Sequence, residues 1–432
     1  MSSLLGGEFD EFLKYYEGGS FFRGLRVNTL KCDAEDLLPL LPFKAEKTPF
    51  CPDGYYIPDG VGGLGNSPLH HCGAFYIQEP SALSPAEMLG VEEGDLVLDL
   101  CAAPGGKSTQ IGAKLNGKGL LWSNEIVRNR ANILLSNIER MGIPNAVVSS
   151  AHPEELCERL SGRFDKVMVD APCSGEGMFR KNSAFEHWSV EHVKSCAERQ
   201  LNILESAKKA LKPGGVMVYS TCTFSREENE GVICRFLDGN PDFELEDAGV
   251  CFGRPTLGYA RRIFPMDGGE GHFAARLRKR GEAFKNSSPI KAEKPDSEAL
   301  EFYDGLFVDR PFGSRLKVAN NKIIILPENF AFDTSGLPIL RAGILLGEIV
   351  KRRIEPHHSA FMAAKPEDCR QRADFSRDSA EIAAFLHGEE IAVGAGLRGW
   401  CAVCVEGMTT GFGKASSGRL KNKYPKGLRT LK

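Results

Sequence analysis

From about residue 96, short apolar runs alternate with longer segments that carry helical patterning. This alternation is typical of an α/β domain in which a parallel sheet is flanked by helices. The pattern predicts strands at residues 96–100, 119–123, 146–149, 166–170 and 215–222. It also predicts helices at residues 107–115, 127–141, 190–211 and 226–238. Ser225, with Glu228 three positions later, has the pattern of a capping box and predicts the start of the last helix.

Composition shifts along the chain predict several domains. A mixed N-terminal part with Pro/Gly turns precedes the sheet, and a polar stretch rich in Pro, Ser and Lys follows it, as in a linker. Strand-like runs at 322–326 and 400–405 then indicate a second globular region. The predicted segments are 1–90 (N-terminal subdomain), 91–280 (catalytic domain), 281–301 (linker) and 302–432 (C-terminal region).

The net charge and the cysteine content limit the partners and the cellular compartment that this protein can have. The chain of 432 residues has a formal net charge of −3, so any surface for a polyanion must be local. Thirteen cysteines without regular spacing, and no apolar leader after Met1, predict free thiols in a reducing cytoplasm. No apolar run approaches the roughly 20 residues that a membrane span needs. We therefore expect a cytoplasmic protein without a membrane or metal partner.

A loop of small residues follows the first predicted strand of the sheet. Small side chains let a ligand approach the backbone, and the helix after the loop presents unpaired N–H groups. The spacing fits neither the dinucleotide fingerprint nor a Walker A loop. Glu125, at the end of the second strand, can accept hydrogen bonds from ribose hydroxyls, so we predict an S-adenosyl-L-methionine site. The predicted cofactor-binding loop is Cys101, Ala102, Ala103, Pro104, Gly105, Gly106 and Lys107.

Two cysteines lie just past the ends of two other predicted strands. Cys173 follows Asp170-Ala171-Pro172, and Cys222 follows Ser220-Thr221. Ligands of open α/β sheets bind outside the carboxyl ends of the strands. Two thiols at that edge, with the acid Asp170 beside one of them, predict a covalent active site.

Three sequence blocks resemble the signatures of the Nop/Sun-type RNA cytosine-5 methyltransferases. The resemblance extends to both ends of the chain, where the C-terminal tail is similar to the bacterial RsmF-like branch, which modifies small-subunit ribosomal RNA. It covers nearly the whole chain and is weakest in the linker. The three blocks are residues 99–107, 170–177 and 220–223, the N-terminal matches are 26–30 and 76–81, and the C-terminal match is 413–429.

This resemblance implies a Rossmann-like methyltransferase sheet with a small RNA-contacting N-terminal subdomain and a PUA-like C-terminal domain. It assigns Cys222 as the nucleophile that adds to C6 of cytosine, and Cys173 as the residue that assists product release. Asp170 would bind the base or the cofactor near the transferred methyl, with Glu125 and the small-residue loop around the cofactor. The implied product is 5-methylcytosine in small-subunit (16S) ribosomal RNA, naked or in an assembling 30S subunit.

Several alternatives remain open at this point. Pro172-Cys173 also fits the Pro-Cys nucleophile of DNA cytosine methyltransferases, although the full set of blocks favours Cys222. The substrate could instead be transfer RNA, reached through the same chemistry. A third hypothesis is a non-catalytic ribosome-assembly factor that binds RNA. A role in binding alone would not explain why both Cys173 and Cys222 are present. The sequence does not set the oligomeric state, and a monomer is the working expectation.

Candidate RNA contacts are local groups of cations. Arg180 and Lys181 follow the Cys173 loop, and the segment from Gly411 to Lys432 holds seven Lys/Arg and no acid. Such cations can bind phosphates. The predicted contacts in this tail are Arg419, Lys421, Lys423, Lys426 and Arg429.

Other polar features receive a structural interpretation. Asn229 is predicted on a solvated helix face, and Cys401 and Cys404 are predicted to be packed thiols because no second Cys/His pair lies nearby. The histidine pairs at 70–71 and 357–358 are predicted to be surface or packing residues. The segment 148–152 lacks the acid that related enzymes often use for adenine, and Ser150 or His152 are candidates to replace it.

Overall fold

The computed structural model describes residues 1–18, 21–181, 185–186, 188–282, 296–351 and 353–430. Its centre is a mixed sheet in which the five predicted strands are all present and run parallel. Across the sheet the strand order is Arg254–Thr256, Ala260–Ile263, His272–Lys279, Leu211–Thr221, Phe164–Asp170, Leu96–Asp99, Leu120–Asn124, Ala146–Ser149 and Ile339–Ala342.

The parallel strands are apolar on both faces because helices cover both sides of the sheet. Val97 and Leu121 pack into one buried cluster, whereas their neighbours Leu98 and Trp122 pack into the other. Among the described residues, no helix is long and apolar enough to cross a bilayer. The helices of this domain are Gly106–Leu115, Arg128–Arg140, Pro153–Arg159, Val190–Ala210 and Glu230–Gly239.

The last of these helices begins later than predicted. Helix Glu230–Gly239 starts four residues after the predicted position 226. The reason is that Glu228 and Asn229 are fully buried and make hydrogen bonds to neighbouring loops instead of extending the helix outward. The predicted solvated position of Asn229 is therefore wrong.

Antiparallel strands that were not predicted extend the sheet at both edges. Strand His272–Lys279 pairs with Leu211–Thr221. The short strand Phe243–Leu245 also pairs with His272–Lys279. At the other edge, Ile339–Ala342 from the C-terminal region pairs with Ala146–Ser149. The C-terminal region thus contributes a strand to the catalytic sheet and covers an edge that would otherwise be open.

Aromatic packing strengthens this attachment of the C-terminal region. The rings of Trp122 and Phe332 lie 5.3 Å apart, and the guanidinium of Arg163 lies 4.7 Å from the Phe332 ring centre. The helix Ser297–Leu306 begins inside the segment predicted as a linker, and its Tyr303 is buried in the C-terminal core. This helix therefore begins before residue 302, where the C-terminal region was predicted to start.

The N-terminal subdomain is a four-stranded antiparallel sheet with short helices. Leu25 and Val27 on its strands share one buried cluster with Phe385 and Tyr424 of the C-terminal region, so the two ends of the chain pack together. Its strands, in sheet order, are Glu46–Lys47, Gly54–Tyr56, Gly24–Val27 and Phe75–Gln78. Its helices are Ser2–Leu5, Phe9–Glu17, Ala34–Leu37 and Pro68–His71, and Ser84–Leu89 leads into the catalytic sheet.

The rest of the C-terminal region forms two small sheets, which include the predicted strand-like runs at 322–326 and 400–405. The first sheet contains Leu316–Ala319, Lys322–Ile325, Ile344–Val350 and Arg353–Pro356. The second contains Arg372–Phe375, Gly399–Val405, Met408–Ser416, Arg419–Asn422 and Ile391–Ala392. Helices His358–Ala363 and Ala380–His387 complete the region.

Candidate active site

The two predicted thiols meet at the carboxyl edge of the parallel strands. Asp170 ends its strand opposite Ser220 of the neighbouring strand, so the loops that follow them leave the sheet side by side. The Sγ atoms of Cys173 and Cys222 lie 3.4 Å apart. The backbone N–H of Gly177 donates to the carbonyl oxygen of Cys222 at 2.9 Å, which joins the two loops.

A buried carboxylate that was not among the predicted site residues holds the Cys173 loop. Glu228 accepts hydrogen bonds from the backbone N–H of Ser174 at 2.9 Å and from Nε2 of Gln200 at 2.8 Å. The same Gln200 nitrogen donates to the Pro172 carbonyl at 3.0 Å. The signal available in the sequence was the polar run Glu227 to Glu230 directly after the second thiol.

Asn229 supports the second thiol loop in the same way. Its Nδ2 donates to the Thr223 carbonyl at 2.9 Å, and its Oδ1 accepts from the Thr221 hydroxyl at 2.6 Å. Thr221 and Thr223 flank Cys222, so Asn229 fixes the backbone on both sides of the thiol. It is a positioning residue, not the surface residue predicted.

Asp170 forms the charged centre of the site. Its Oδ2 accepts from Lys107 Nζ at 2.8 Å, and its Oδ1 accepts from the Ser220 hydroxyl at 2.7 Å. Burial favours a higher pKa for Asp170, but Lys107 and His272 outweigh it and hold that pKa below its usual value. Burial also opposes the charge of Lys107, yet Asp170 raises the lysine pKa above its usual value. Both groups are therefore charged at neutral pH.

The electrostatics distinguish the two thiols. The contact with Cys222, followed by burial, raises the pKa of Cys173 well above its usual value. Cys173 therefore stays protonated and can donate its S–H toward Cys222. The charge of Lys107 also interacts with Cys222. The two thiols therefore have different surroundings, because Cys222 lies near the charge of Lys107.

One cavity of about 1120 Å³ connects the thiols with the small-residue loop. The apolar side chains of Ile126 and Val127 are 51% and 48% exposed and lie on its wall. Exposed apolar groups beside a buried acid suit a ligand with a flat base and a ribose. The cavity-lining residues predicted from the sequence are Cys101, Ala103, Glu125, Asp170, Cys173 and Cys222.

The wall around Glu125 is held by several hydrogen bonds. Glu125 Oε1 accepts from the backbone N–H of Val127 at 2.9 Å, and Oε2 lies 3.1 Å from Arg130 Nη1. Arg130 Nη2 donates to the Ala103 carbonyl at 2.9 Å and so ties the cofactor loop to the acid. Each carboxylate oxygen has a second lone pair, which leaves acceptors for ribose hydroxyls.

The remaining residues of the small-residue loop have structural positions around the cavity. Ala102 is buried, and the Pro104 carbonyl accepts from Asn137 Nδ2 at 2.9 Å. Gly105 has a φ of +114°, a backbone conformation that favours glycine, and Gly106 starts the following helix.

The two candidates for the adenine contact differ in position. His152 is exposed and lines the cavity. The Ser150 hydroxyl instead donates to the Ile126 carbonyl at 3.2 Å. His152 is therefore the better placed of the two.

The structure contradicts the predicted RNA contact of Arg180. The side chain of Arg180 is only 5% exposed and forms an ion pair with the buried Glu270 at 3.2 Å. Lys181 Nζ donates to the Phe22 carbonyl at 2.9 Å, and burial lowers the pKa of Lys181. Lys181 attaches the catalytic loop to the N-terminal subdomain directly, and Arg180 does so through Glu270, which accepts a hydrogen bond from the backbone N–H of Phe22.

The basic C-terminal tail contains both paired and unpaired cations. Arg419 forms an ion pair with Glu390, and Lys423 Nζ lies 2.9 Å from Glu355. The Arg429 guanidinium donates to the Tyr424 carbonyl at 3.3 Å. In the described part of the chain, Lys421 and Lys426 are exposed and take part in no ion pair, so they are the cations most available to RNA.

The other predicted packing residues lie in apolar surroundings. Cys401 and Cys404 are fully buried in two adjacent clusters. His71 Nδ1 lies 2.7 Å from the Tyr424 hydroxyl, and the ring of His358 packs against the same tyrosine at 5.4 Å. Over the ranges that the structure describes, no group of three or more His, Cys, Asp or Glu side chains is placed to hold a metal ion.

Comparison with known proteins identifies the family. The family described as 16S rRNA methyltransferase RsmB/F matches residues 86–278. Ribosomal RNA small subunit methyltransferase F of Vibrio vulnificus is 34% identical over 97% of this chain and 93% of its own length. The chain belongs to the RsmF family. The family's N-terminal, first C-terminal and PUA domains match residues 1–80, 301–363 and 372–430.

Further relatives of the RsmF family and two solved structures agree with this result. The methyltransferase F proteins of Shewanella oneidensis and Aeromonas salmonicida are each 34% identical over 94% of this chain and 90% of their own length. A methyltransferase homolog from Pyrococcus horikoshii is 31% identical, with a TM-score of 0.57 over 63% of this chain and 91% of its own. NSun6 from Pyrococcus horikoshii with SFG has 24% identity and a TM-score of 0.60, over 65% of this chain and 97% of its own, and supports the fold.

Proposed function

We propose that this protein is an S-adenosyl-L-methionine-dependent methyltransferase that forms 5-methylcytosine in small-subunit ribosomal RNA in the cytoplasm. The observation that carries the proposal is the pair of thiols 3.4 Å apart on the wall of the cofactor cavity, beside a charged Lys107–Asp170 pair. The relatives of Vibrio vulnificus and Shewanella oneidensis, both ribosomal RNA small subunit methyltransferases F, support the ribosomal substrate.

The chemistry needs a covalent step because C5 of cytosine is a poor nucleophile. Addition of the Cys222 thiolate to C6 makes C5 enamine-like, which divides one difficult step into easier ones. When bound, S-adenosyl-L-methionine supplies an activated methyl group on its sulfonium. The target base must leave its stack, since C6 has to face the thiolate from above the ring plane.

Cys173 is suited to the release step. After methylation the C5 proton is removed, its electron pair forms the C5–C6 double bond, and the C6–S pair returns to Cys222. The Cys173 thiol, protonated and 3.4 Å from the Cys222 sulfur, can hydrogen-bond to the departing thiolate. This assigns Cys222 the nucleophilic role and Cys173 the assisting one.

The cofactor would be held by the residues around the cavity. The Glu125 carboxylate is placed to accept from the ribose hydroxyls, and Ile126 and Val127 provide an apolar wall for the adenine. The segment Cys101 to Gly106 would let a ligand approach its backbone because its side chains are small, and Lys107, which follows it, holds Asp170. On the RNA side, Lys421 and Lys426 of the C-terminal tail would bind phosphates.

A labelling experiment tests the proposal against its alternatives. Purified protein is incubated with methyl-labelled cofactor and separate pools of naked 16S RNA, assembling 30S particles and transfer RNA, with Cys222→Ala as the matched blank. Label at C5 of cytidines in 16S RNA, naked or in particles, supports the proposal. Label in transfer RNA indicates the transfer-RNA enzyme, and no label in any pool indicates a binding factor.

A further inference from the structure

A buried histidine lies beside the reacting groups and has no part in the mechanism above. His272 begins the strand His272–Lys279, in which Ala274 pairs with Ser220 and Phe273 pairs with Thr221. Side chains alternate along a strand, so His272 and Ala274 lie on the same face as Ser220. The pairing register places His272 at the level of Cys222.

The ring of His272 is aimed at Asp170. His272 is only 4% exposed, and neither ring nitrogen has a hydrogen-bond partner within the described residues. Its Nε2 lies 3.8 Å from Asp170 Oδ1, the oxygen that also accepts from Ser220. Buried polar groups without partners are uncommon, and each calls for an explanation such as a catalytic role.

The addition step needs a source for the proton that N3 takes up, and Asp170 and Lys107 are poorly suited to be that source. As Cys222 adds to C6, the electrons displaced through the ring collect at N3, which then needs a proton. Asp170 is ionised and carries no proton of its own, and Lys107 gives up a proton less readily than an ordinary lysine because Asp170 raises its pKa. An imidazole can carry a proton and pass it on, and His272 Nε2 is the ring nitrogen that faces Asp170 Oδ1 at 3.8 Å.

We propose that His272 is a positioning residue that acts through Asp170 to supply the proton taken up by N3 when Cys222 adds to C6. This inference rests on the proposed function. The thiolate pair forms the S–C6 bond, the C5–C6 π pair moves to C4–C5, and the C4–N3 π pair takes up a proton at N3. His272 Nε2 gives its proton to the Asp170 carboxylate as that carboxylate passes a proton to N3, so Asp170 ends ionised as it began and His272 ends neutral. On elimination, N3 returns the proton along the same path.

The test compares His272→Gln and His272→Phe with the wild-type protein. RNA carrying 5-fluorocytidine at the target accumulates the adduct because its C5 has no proton to lose. We expect both variants to form the adduct about 100-fold more slowly. Affinities for RNA and cofactor, measured separately, should stay within about twofold of wild type. His358→Gln is the matched control, since His358 is also buried with an unpartnered ring nitrogen but packs against Tyr424.

A pH profile gives a second measurement that a purely structural role would not change. The titratable groups around His272 are Asp170, Lys107, Cys222 and Cys173. We expect the adduct rates of wild type and of His272→Gln to depend differently on pH, because only the wild type carries an imidazole beside Asp170.

The outcomes separate this inference from the proposed function. A wild-type protein that forms no adduct and transfers no methyl overturns the proposed function itself. An active wild type whose His272 variants keep its adduct rate and pH profile overturns the inference alone. A defect confined to RNA or cofactor affinity also overturns it, because the residue would then only support the fold.

Discussion

The catalytic cleft and the interface between the two ends of the chain contain the same residue types in different surroundings. At the interface, burial raises the pKa of Cys72 and of Cys401 to about 11 each and lowers that of His358 to about 3. In the cleft, Cys222 adjoins a second thiol and the charge of Lys107, and it lines an open cavity.

Neighbouring charge is common to both regions, since Cys72 lies near Lys31 and Arg140, so we expect access to a cavity to decide the reactivity of these thiols. The interface cysteines are small apolar groups in a packed core, whereas the cleft cysteines are held at a surface that a ligand can reach. The following predictions test this contrast, from the largest expected effect to the smallest.

Substitution of the cleft thiols should have the largest effect. We expect Cys222→Ala to abolish methyl transfer, since this variant lacks the thiol assigned to form the bond to C6. Cys173→Ala should instead accumulate a protein–RNA adduct that survives a denaturing gel. The exposed Cys234→Ala serves as control and should behave as wild type. An adduct in Cys222→Ala but not in Cys173→Ala would exchange the two roles.

Removing the contact between the C-terminal region and the catalytic sheet should have the second largest effect, a loss of unfolding free energy. Phe332 stacks on Phe164 at 5.9 Å and packs against Trp122. We expect Phe332→Ala to lower the unfolding free energy by about 3 kcal/mol in urea denaturation. Phe185→Ala is the control, because Phe185 is 58% exposed and its loss should cost less than about 0.5 kcal/mol. Equal stability of the two variants would show that the contact is not needed.

The interface histidines should make the protein less stable in acid. Burial lowers the pKa of His358 to about 3 in the folded state. As the pH falls below about 6.5, the unfolded chain binds a proton that the folded chain excludes, so stability is lost toward acid and is fully present above that pH. His358→Gln should reduce the slope of unfolding free energy between pH 6 and 4 by about 1.4 kcal/mol per pH unit. The unfolding free energy is measured by urea denaturation at several pH values. If its slope with pH is the same in His358→Gln and in wild type, His358 is not buried in its neutral form.

The exposed cations of the tail should have the smallest effect. We expect Lys421→Gln combined with Lys426→Gln to weaken RNA binding several-fold and to flatten the salt dependence by about 1.5 in log–log slope. Lys118→Gln is the control, since Lys118 pairs with Glu93 and precedes the strand Leu120–Asn124, away from the cleft. The measurement is a binding titration at several salt concentrations. A slope equal to that of wild type would remove these two residues from the RNA surface.

Much of the catalytic domain could be predicted from local sequence. The five parallel strands and the residues at their carboxyl ends follow from apolar periodicity and from the rule that ligands bind at that edge. Arg180 and Asn229 could not be assigned in this way. Their roles depend on Glu270 and on the Thr221–Thr223 backbone, which lie elsewhere in the chain or on another element.

The sequence by itself determined the order of strands and helices, the placement of Cys173 and Cys222 after strand ends, and the membership of the family. These features are local, since each depends on a short run of residues. Only the tertiary structure decided that the two thiols lie side by side, that His272 faces Asp170, and that Ile339–Ala342 completes the catalytic sheet. Each of these depends on groups far apart in the chain, and proximity in space sets their charge, burial and pairing.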